Sequence, residues 1–191
     1  SSGSANLPQP PVTGSDGVDF AATAAYGRDN GGAALRAMSF EERAGMLKAM
    51  SKSLYGRRDE LLGLGVANGG NTRSDAKFDV DGATGTLAAY ASLGRDLGAK
   101  KIMLAGEGVQ LGRSARYWGQ HILTPREGVA VLINAFNFPA WGWAEKAACA
   151  LLAGVPVIVK PATSSALLTW RMIEILVEDE VLPEGALQYI S

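Results

Sequence analysis

The sequence predicts an α/β fold: a helical segment leading into the start of a doubly wound parallel sheet. Three observations carry that expectation. Two near-continuous apolar runs, "GVAVLIN" (128–134) and "GVPVIVK" (154–160), have the composition of parallel strands covered on both faces. Between and after them lie two helical stretches, "AWGWAEKAACALLA" (140–153) and "SSALLTWRMIEILVEDE" (164–180). In the second, Leu168, Met172, Ile175 and Leu176 recur at helical spacing. Finally, "LPEGA" (182–186) breaks that helix and "LQYIS" (187–191) opens a third strand. A βαβαβ order of this kind calls for parallel pairing through right-handed crossovers.

The upstream residues read as helices. Ser39 and Glu42 form the S-x-x-E pattern of a capping box, in which each residue satisfies the other's backbone N–H. Leu47, Met50 and Leu54 then fall on one face. Leu61, Leu62 and Val66 continue the pattern in a second helix, which "NGGN" (68–71) should end. A third helix is expected from Asp75 to Leu97, with Ala83, Leu87, Tyr90 and Leu97 inward. Residues 100–128 change character: "RYWGQHILT" is rich in aromatic and β-branched residues, and "PREG" (125–128) is turn chemistry.

The chain therefore divides into a flexible Pro/Gly-rich lead-in (1–18), a helical segment (19–99), a β segment (100–128) and the start of a parallel-sheet domain (129–191). A three-stranded parallel sheet leaves an open edge, which further chain or a partner has to cover. We expect this sequence to be the N-terminal piece of a longer protein.

Composition narrows the function classes. Hydrophobic residues at 47% and charged residues at 19% describe a globular chain, not a disordered one. The 18 Lys+Arg nearly balance the 19 Asp+Glu, so nothing points to nucleic acid or an acidic membrane as partner. No apolar run reaches the roughly 20 residues of a membrane span. The first residues lack the charged-then-apolar order of a signal peptide. A single Cys forms no internal disulfide, so a reducing cytoplasm is the default expectation.

In an open α/β sheet, ligands collect beyond the carboxyl ends of the strands. Two loops leave that edge: "NAFNFPA" (134–140) and "KPATS" (160–164). A helix N-terminus follows each, with free N–H groups and a positive dipole end, which suits an anionic ligand. Lys160 closes an apolar strand and Pro161 fixes the chain after it, so its amine can reach a ribose hydroxyl or a phosphate. The competing reading is a lysine snorkelling out of a strand end. Asn137 offers an amide donor stiffened by Pro139, suited to an oxyanion. The competing reading is a loop Asn satisfying its own turn.

Other features carry less. "GLGVANG" (63–69) and "GEGVQLG" (106–112) resemble dinucleotide fingerprints but are one residue too long, and neither follows a predicted strand and opens a helix. They read as a helix interior and a loop. The sole His, His121, has no ligand-spaced Cys or carboxylate and reads as structural; no metal site is expected. Cys149 lies in "KAACALLAG", on a helix that reads as buried, and is expected to be a small apolar filler.

The segment "INAFNFPAWGWAEKAACALLAGVPVIVKPATSSALLTW" resembles the cofactor-binding region of the aldehyde dehydrogenase superfamily. The shared motifs are N-F-P, Lys146 nine residues after Asn137, and K-P-[AS] with Lys160 twenty-three residues after Asn137. "ALRAMSFEERAGMLKAMSKSL" and "FDVDGATGTLAAYASLG", with "AFNFP", are similar to the branch that handles CoA-thioester semialdehydes in phenylacetate and benzoate degradation.

The resemblance implies a Rossmann-like cofactor domain of the aldehyde dehydrogenase type. It also implies roles for particular residues. Asn137 would help form the oxyanion hole. Lys160 would bind the adenosine ribose, with Pro161, Ala162 and Thr163 beside it. Ile133, Asn134, Ala135 and Phe136 would run along the cofactor. Trp141, Gly142 and Glu145 would line the aldehyde channel, with Lys146 near the active site, although core packing competes for Trp141. Thr163 stands where NAD-preferring relatives often carry Glu. A carboxylate there repels a 2′-phosphate, so a neutral hydroxyl implies NADP, with NAD the alternative. Cys149 does not match the family's nucleophile. That residue and the Glu base are expected beyond Ser191, so this chain alone should be inactive. The β segment implies a homodimer. Two rival readings stand beside the CoA-linked semialdehyde dehydrogenase: a non-catalytic nucleotide-binding or assembly fragment, and a dehydrogenase for simple aldehydes.

Overall fold

A computed structural model describes residues 14–191, so most of the expected lead-in lies outside the described residues. Asp19 caps the first helix, α1 (Phe20–Tyr26), by accepting from the Ala22 amide. One π-helical segment (Gly27–Gly31) joins it without a break to α2 (Gly32–Ala37). This rod crosses the turn before the last strand so closely that a Cβ on Gly31 would lie 2.2 Å from the Gly185 backbone. Only glycine permits that approach.

The expected capping box opens α3 (Phe40–Gly56): Ser39 N donates to Glu42 at 2.6 Å and Glu42 N to the Ser39 hydroxyl at 3.2 Å. Next come α4 (Arg58–Ala67), which contains "GLGVA" as expected, and the long α5 (Arg73–Leu97). Leu47, Met50, Leu54, Leu61, Leu62, Ala83 and Leu87 form the core between them. Burial of such side chains contributes about 1.5–3 kcal/mol each, so helix–helix packing supports most of this region. Tyr90 and Leu97 are only half-buried. Val66, expected inward, is exposed, because Leu61, Leu62 and Gly65 already fill the inward face of α4.

Residues 103–123 form an antiparallel ribbon, β1 (Met103–Gln110) and β2 (Trp118–Leu123), with a register shift between Ala105 and Val109. "GEGVQLG" is thus mostly strand, not loop. Its glycines hide the alternation, and only the partner strand, which supplies the backbone hydrogen bonds, makes it β. Leu104, Val109, Trp118 and Ile122 are all exposed along the ribbon.

The βαβαβ unit follows: β3 (Ala130–Ile133), α6 (Trp141–Leu152), β4 (Val157–Lys160), a 3₁₀ turn (Thr163–Ser165), α7 (Ala166–Glu178) and β5 (Leu187–Tyr189). The strands pair in parallel in the order β3-β4-β5. Both crossover helices lie against the helical layer of α3 and its neighbours, while α1 reaches β5 through Gln188, whose amide donates to Thr23 O at 3.1 Å. β4 is buried over Val157, Ile158 and Val159, as an apolar run predicts. β3 differs: Leu132 is buried, but Val131 and Ile133 are 56% and 76% exposed. Successive side chains alternate between faces, and in β3 only one face has a cover.

Candidate active site at the sheet edge

The two predicted loops leave the carboxyl edge side by side. Ile133 pairs in register with Lys160, and the Asn134 amide donates to Lys160 O at 3.0 Å. Ile133 and Lys160 share the face left uncovered at β3. The Asn134 side chain is buried, and neither its Nδ2 nor its Oδ1 has a hydrogen-bond partner among the described residues. Lys160 is half-buried, and its amine donates to Pro161 O at 2.8 Å. Pro161 is buried, Ala162 half-buried and Thr163 exposed on the 3₁₀ turn.

The first loop forms a cleft of about 330 Å³, lined by Ala135, Asn137, Phe138, Trp141, Gly142, Glu145 and Lys146. It thus gathers six of the residues expected at the site. Phe136 is exposed beside it. Lys160, Pro161, Ala162 and Thr163 stand on the neighbouring loop and do not line this cleft. Glu145 and Lys146 pair at 3.2 Å, and Lys146 also donates to Gly142 O at 2.5 Å. Trp141 serves both competing readings. It lines the cleft, and it packs edge-on against Phe78 at 5.3 Å and Phe138 at 6.2 Å while its Nε1 donates to Thr86 at 2.9 Å.

Several supports of the site went unread in the sequence. The buried Asp79, on α5, accepts from Ala140 N at 3.0 Å and Trp141 N at 2.7 Å. These N–H groups at the start of α6, expected to be free for an anion, are therefore already satisfied by a carboxylate. Burial pushes the Asp79 carboxyl up, and the two N–H bonds oppose that shift. Thr169, on α7, donates to Pro139 O at 2.6 Å. The available signal was an acidic residue within the inward stripe of α5, next to Ala76 and Val80.

Cys149 is exposed, not a buried filler. It follows Glu145 by one helical turn on the outward stripe of α6, opposite the buried Trp143, Ala144, Ala147, Ala148 and Leu151. His121 is exposed within β2, opposite Ala105. Among the described residues no cluster of His, Cys, Asp or Glu is placed to hold a metal ion.

A parallel sheet whose loops gather polar side chains at its carboxyl edge has the architecture of a ligand-binding α/β domain. The chain belongs to the aldehyde dehydrogenase family, whose model matches residues 5–191. It is 49% identical over 187 residues to a 3,4-dehydroadipyl-CoA semialdehyde dehydrogenase from Aromatoleum evansii, covering 94% of this chain and 36% of that protein. It is 31% identical over 150 residues to an α-ketoglutarate semialdehyde dehydrogenase from Haloferax volcanii, covering 78% of this chain and 29% of that protein. The chain thus spans about a third of the length of the curated relatives it matches. Among solved structures, the fold is shared with an E. coli NADP-dependent enzyme (TM-score 0.75, 23% identity, 94% of this chain and 35% of that one). It is shared also with an NAD-dependent benzaldehyde dehydrogenase from Corynebacterium glutamicum (TM-score 0.63, 20% identity, 83% and 33%).

Proposed function

We propose that the whole protein oxidises a CoA-thioester semialdehyde to the acid, with NADP as hydride acceptor. This chain would supply one edge of the cofactor site and one oxyanion donor. The observation that carries the reading is the joining of the two loops. The Asn134–Lys160 backbone bond sets the Asn137 cleft beside the Lys160 loop at the carboxyl edge of the sheet.

The residues present fit a nicotinamide dinucleotide. Among the described residues the Lys160 amine makes one of the three hydrogen bonds it can donate, and neither polar atom of the buried Asn134 amide has a partner. The cofactor, when bound, accepts the hydride. Asn137 would donate its amide to the carbonyl oxygen of the aldehyde as negative charge grows there. Lys160 would hold a ribose or phosphate oxygen. Thr163 presents a neutral hydroxyl where a carboxylate would repel a 2′-phosphate. The acyl-CoA class of substrate is supported by the 49% identity to an enzyme named for such a semialdehyde. A single cysteine and a reducing cytoplasm remain part of the same reading.

The test is kinetic and uses the whole enzyme. Asn137→Ala should lower kcat by about 10²-fold, the loss typical of one oxyanion donor, and a CoA semialdehyde should be preferred to simple aliphatic aldehydes. Thr163→Glu should move cofactor preference toward NAD. An unchanged NADP preference sinks the cofactor reading; an unchanged kcat in Asn137→Ala sinks the oxyanion reading.

A further inference from the structure

We propose that Asp79 is a positioning residue for the dehydrogenation: from α5 it anchors the start of α6, and thereby fixes Asn137 at the wall of the cleft. The proposal rests on the reading of Asn137 as an oxyanion donor.

Asp79 is 1% exposed and has no ion-pair partner among the described residues. Its two oxygens go instead to the backbone N–H groups of Ala140 and Trp141 at 3.0 and 2.7 Å. A buried carboxylate without a cation is costly unless hydrogen-bonded. Here two charge-assisted bonds and the positive end of α6 offset that cost. The anchored atoms lie only three and four residues after Asn137. Little between them is free to turn. Pro139 has a fixed φ, and its carbonyl accepts from Thr169. Phe138 lies against Phe78 and Trp141 at ring distances of 6.3 and 6.2 Å. The residue beside Asp79 thus packs the aromatic wall while Asp79 holds the backbone.

A residue that only capped α6 would change stability and leave the chemistry alone. A residue that positions Asn137 loses its effect once Asn137 is gone. Asp79→Asn is nearly isosteric, keeps one acceptor, and turns an NH₂ donor toward the other backbone N–H. In the whole enzyme it should lower kcat by about tenfold or more, since small misplacements of a catalytic group cost rates of that order. Cofactor Kd should stay within about twofold, because Asp79 and the Lys160 amine have separate hydrogen-bond partners. The double variant Asp79→Asn/Asn137→Ala should be no slower than Asn137→Ala alone, and amide exchange at 140–142 should accelerate in Asp79→Asn. Losses that multiply in the double variant, or unchanged exchange at 140–142, overturn the proposal. A normal kcat in Asn137→Ala alone overturns the oxyanion reading on which it stands, and that result is read without touching Asp79.

Discussion

The backbone amide of Asn134 donates to the carbonyl of Lys160 at 3.0 Å, closing the ladder between β3 and β4. That bond fixes the height at which both loops leave the sheet. It holds the Lys160 backbone beside the cleft loop, while the amine donates to its neighbour's carbonyl, Pro161 O, at 2.8 Å. Replacing Lys160 with Ala should therefore leave the fold intact and weaken the cofactor. A hydrogen bond from a charged group contributes about 1.5–3 kcal/mol, so cofactor Kd should rise roughly 10- to 100-fold. Titration of the whole enzyme by fluorescence checks this. An unchanged Kd would return Lys160 to a snorkelling strand-end residue.

Gly82 of α5 lies directly under the Trp141 indole at the cleft. A Cβ on Gly82 would lie 2.5 Å from the indole Cδ2 and Cε3. The ring cannot simply move away, because Thr86 holds its Nε1 and Phe78 packs against it in a T-shaped pair. Gly82→Ala should therefore cost about 1–3 kcal/mol despite the better helix propensity of Ala. A urea midpoint shifted upward in the variant would contradict this account. The same change should slow catalysis, since Trp141 borders the Asn137 cleft.

Elements with a short-range pattern were legible in the sequence. The capping box of Ser39 and Glu42, the helix over α5 and the βαβαβ order follow from periodicity and breakers within a few residues. Both loops of the site were legible for the same reason: each lies at the end of a recognisable strand. What escaped depends on contacts far along the chain. Asp79 reaches Ala140 across 61 residues, and Thr169 reaches Pro139 across 30. Cys149 escaped because Glu145 and Lys146 mark the outward face of α6 only in its first half, and the alanine-rich second half carries no polar residue to continue it. Within the β segment expected over 100–128, the strand character of "GEGVQLG" escaped because a two-stranded ribbon is defined by its partner, and glycine supplies no alternation to read.

Leu104 and Ile122 face one another across the β1–β2 ladder and are 60% and 52% exposed. With Val109 and Trp118 they leave apolar side chains in solvent, and we propose this ribbon as the surface through which subunits associate. As a homodimer is our expectation for the whole protein, Leu104→Asp with Ile122→Asp should yield monomers at micromolar concentration. Sedimentation velocity decides the matter. A dimer that survives both charges moves the interface elsewhere.

Arg171 ties α7 to α4 through an ion pair with Glu60 at 2.5 Å, and it also holds Glu174 at 2.6 Å and Glu178 at 3.0 Å. Its side chain is largely buried, whereas Glu60 is 37% exposed, so water screens part of the attraction. Arg171→Met should therefore cost only about 1 kcal/mol near neutral pH. The pH dependence has a definite sign. The Arg171 bond is the main cause holding the Glu60 carboxyl below its ordinary range, with Arg57 adding to it. A lowered carboxyl means that the unfolded chain takes up the proton first. The stabilisation is thus complete above the ordinary glutamate value of about 4.3. It disappears as pH falls through the lower folded value. Denaturant midpoints of the two proteins should differ at pH 7, converge toward pH 3, and lie closer together in 1 M salt, where the screening length shrinks to about 3 Å. A difference that stays constant down to pH 3 would assign the loss to the packing of the Arg171 stem instead of its charge.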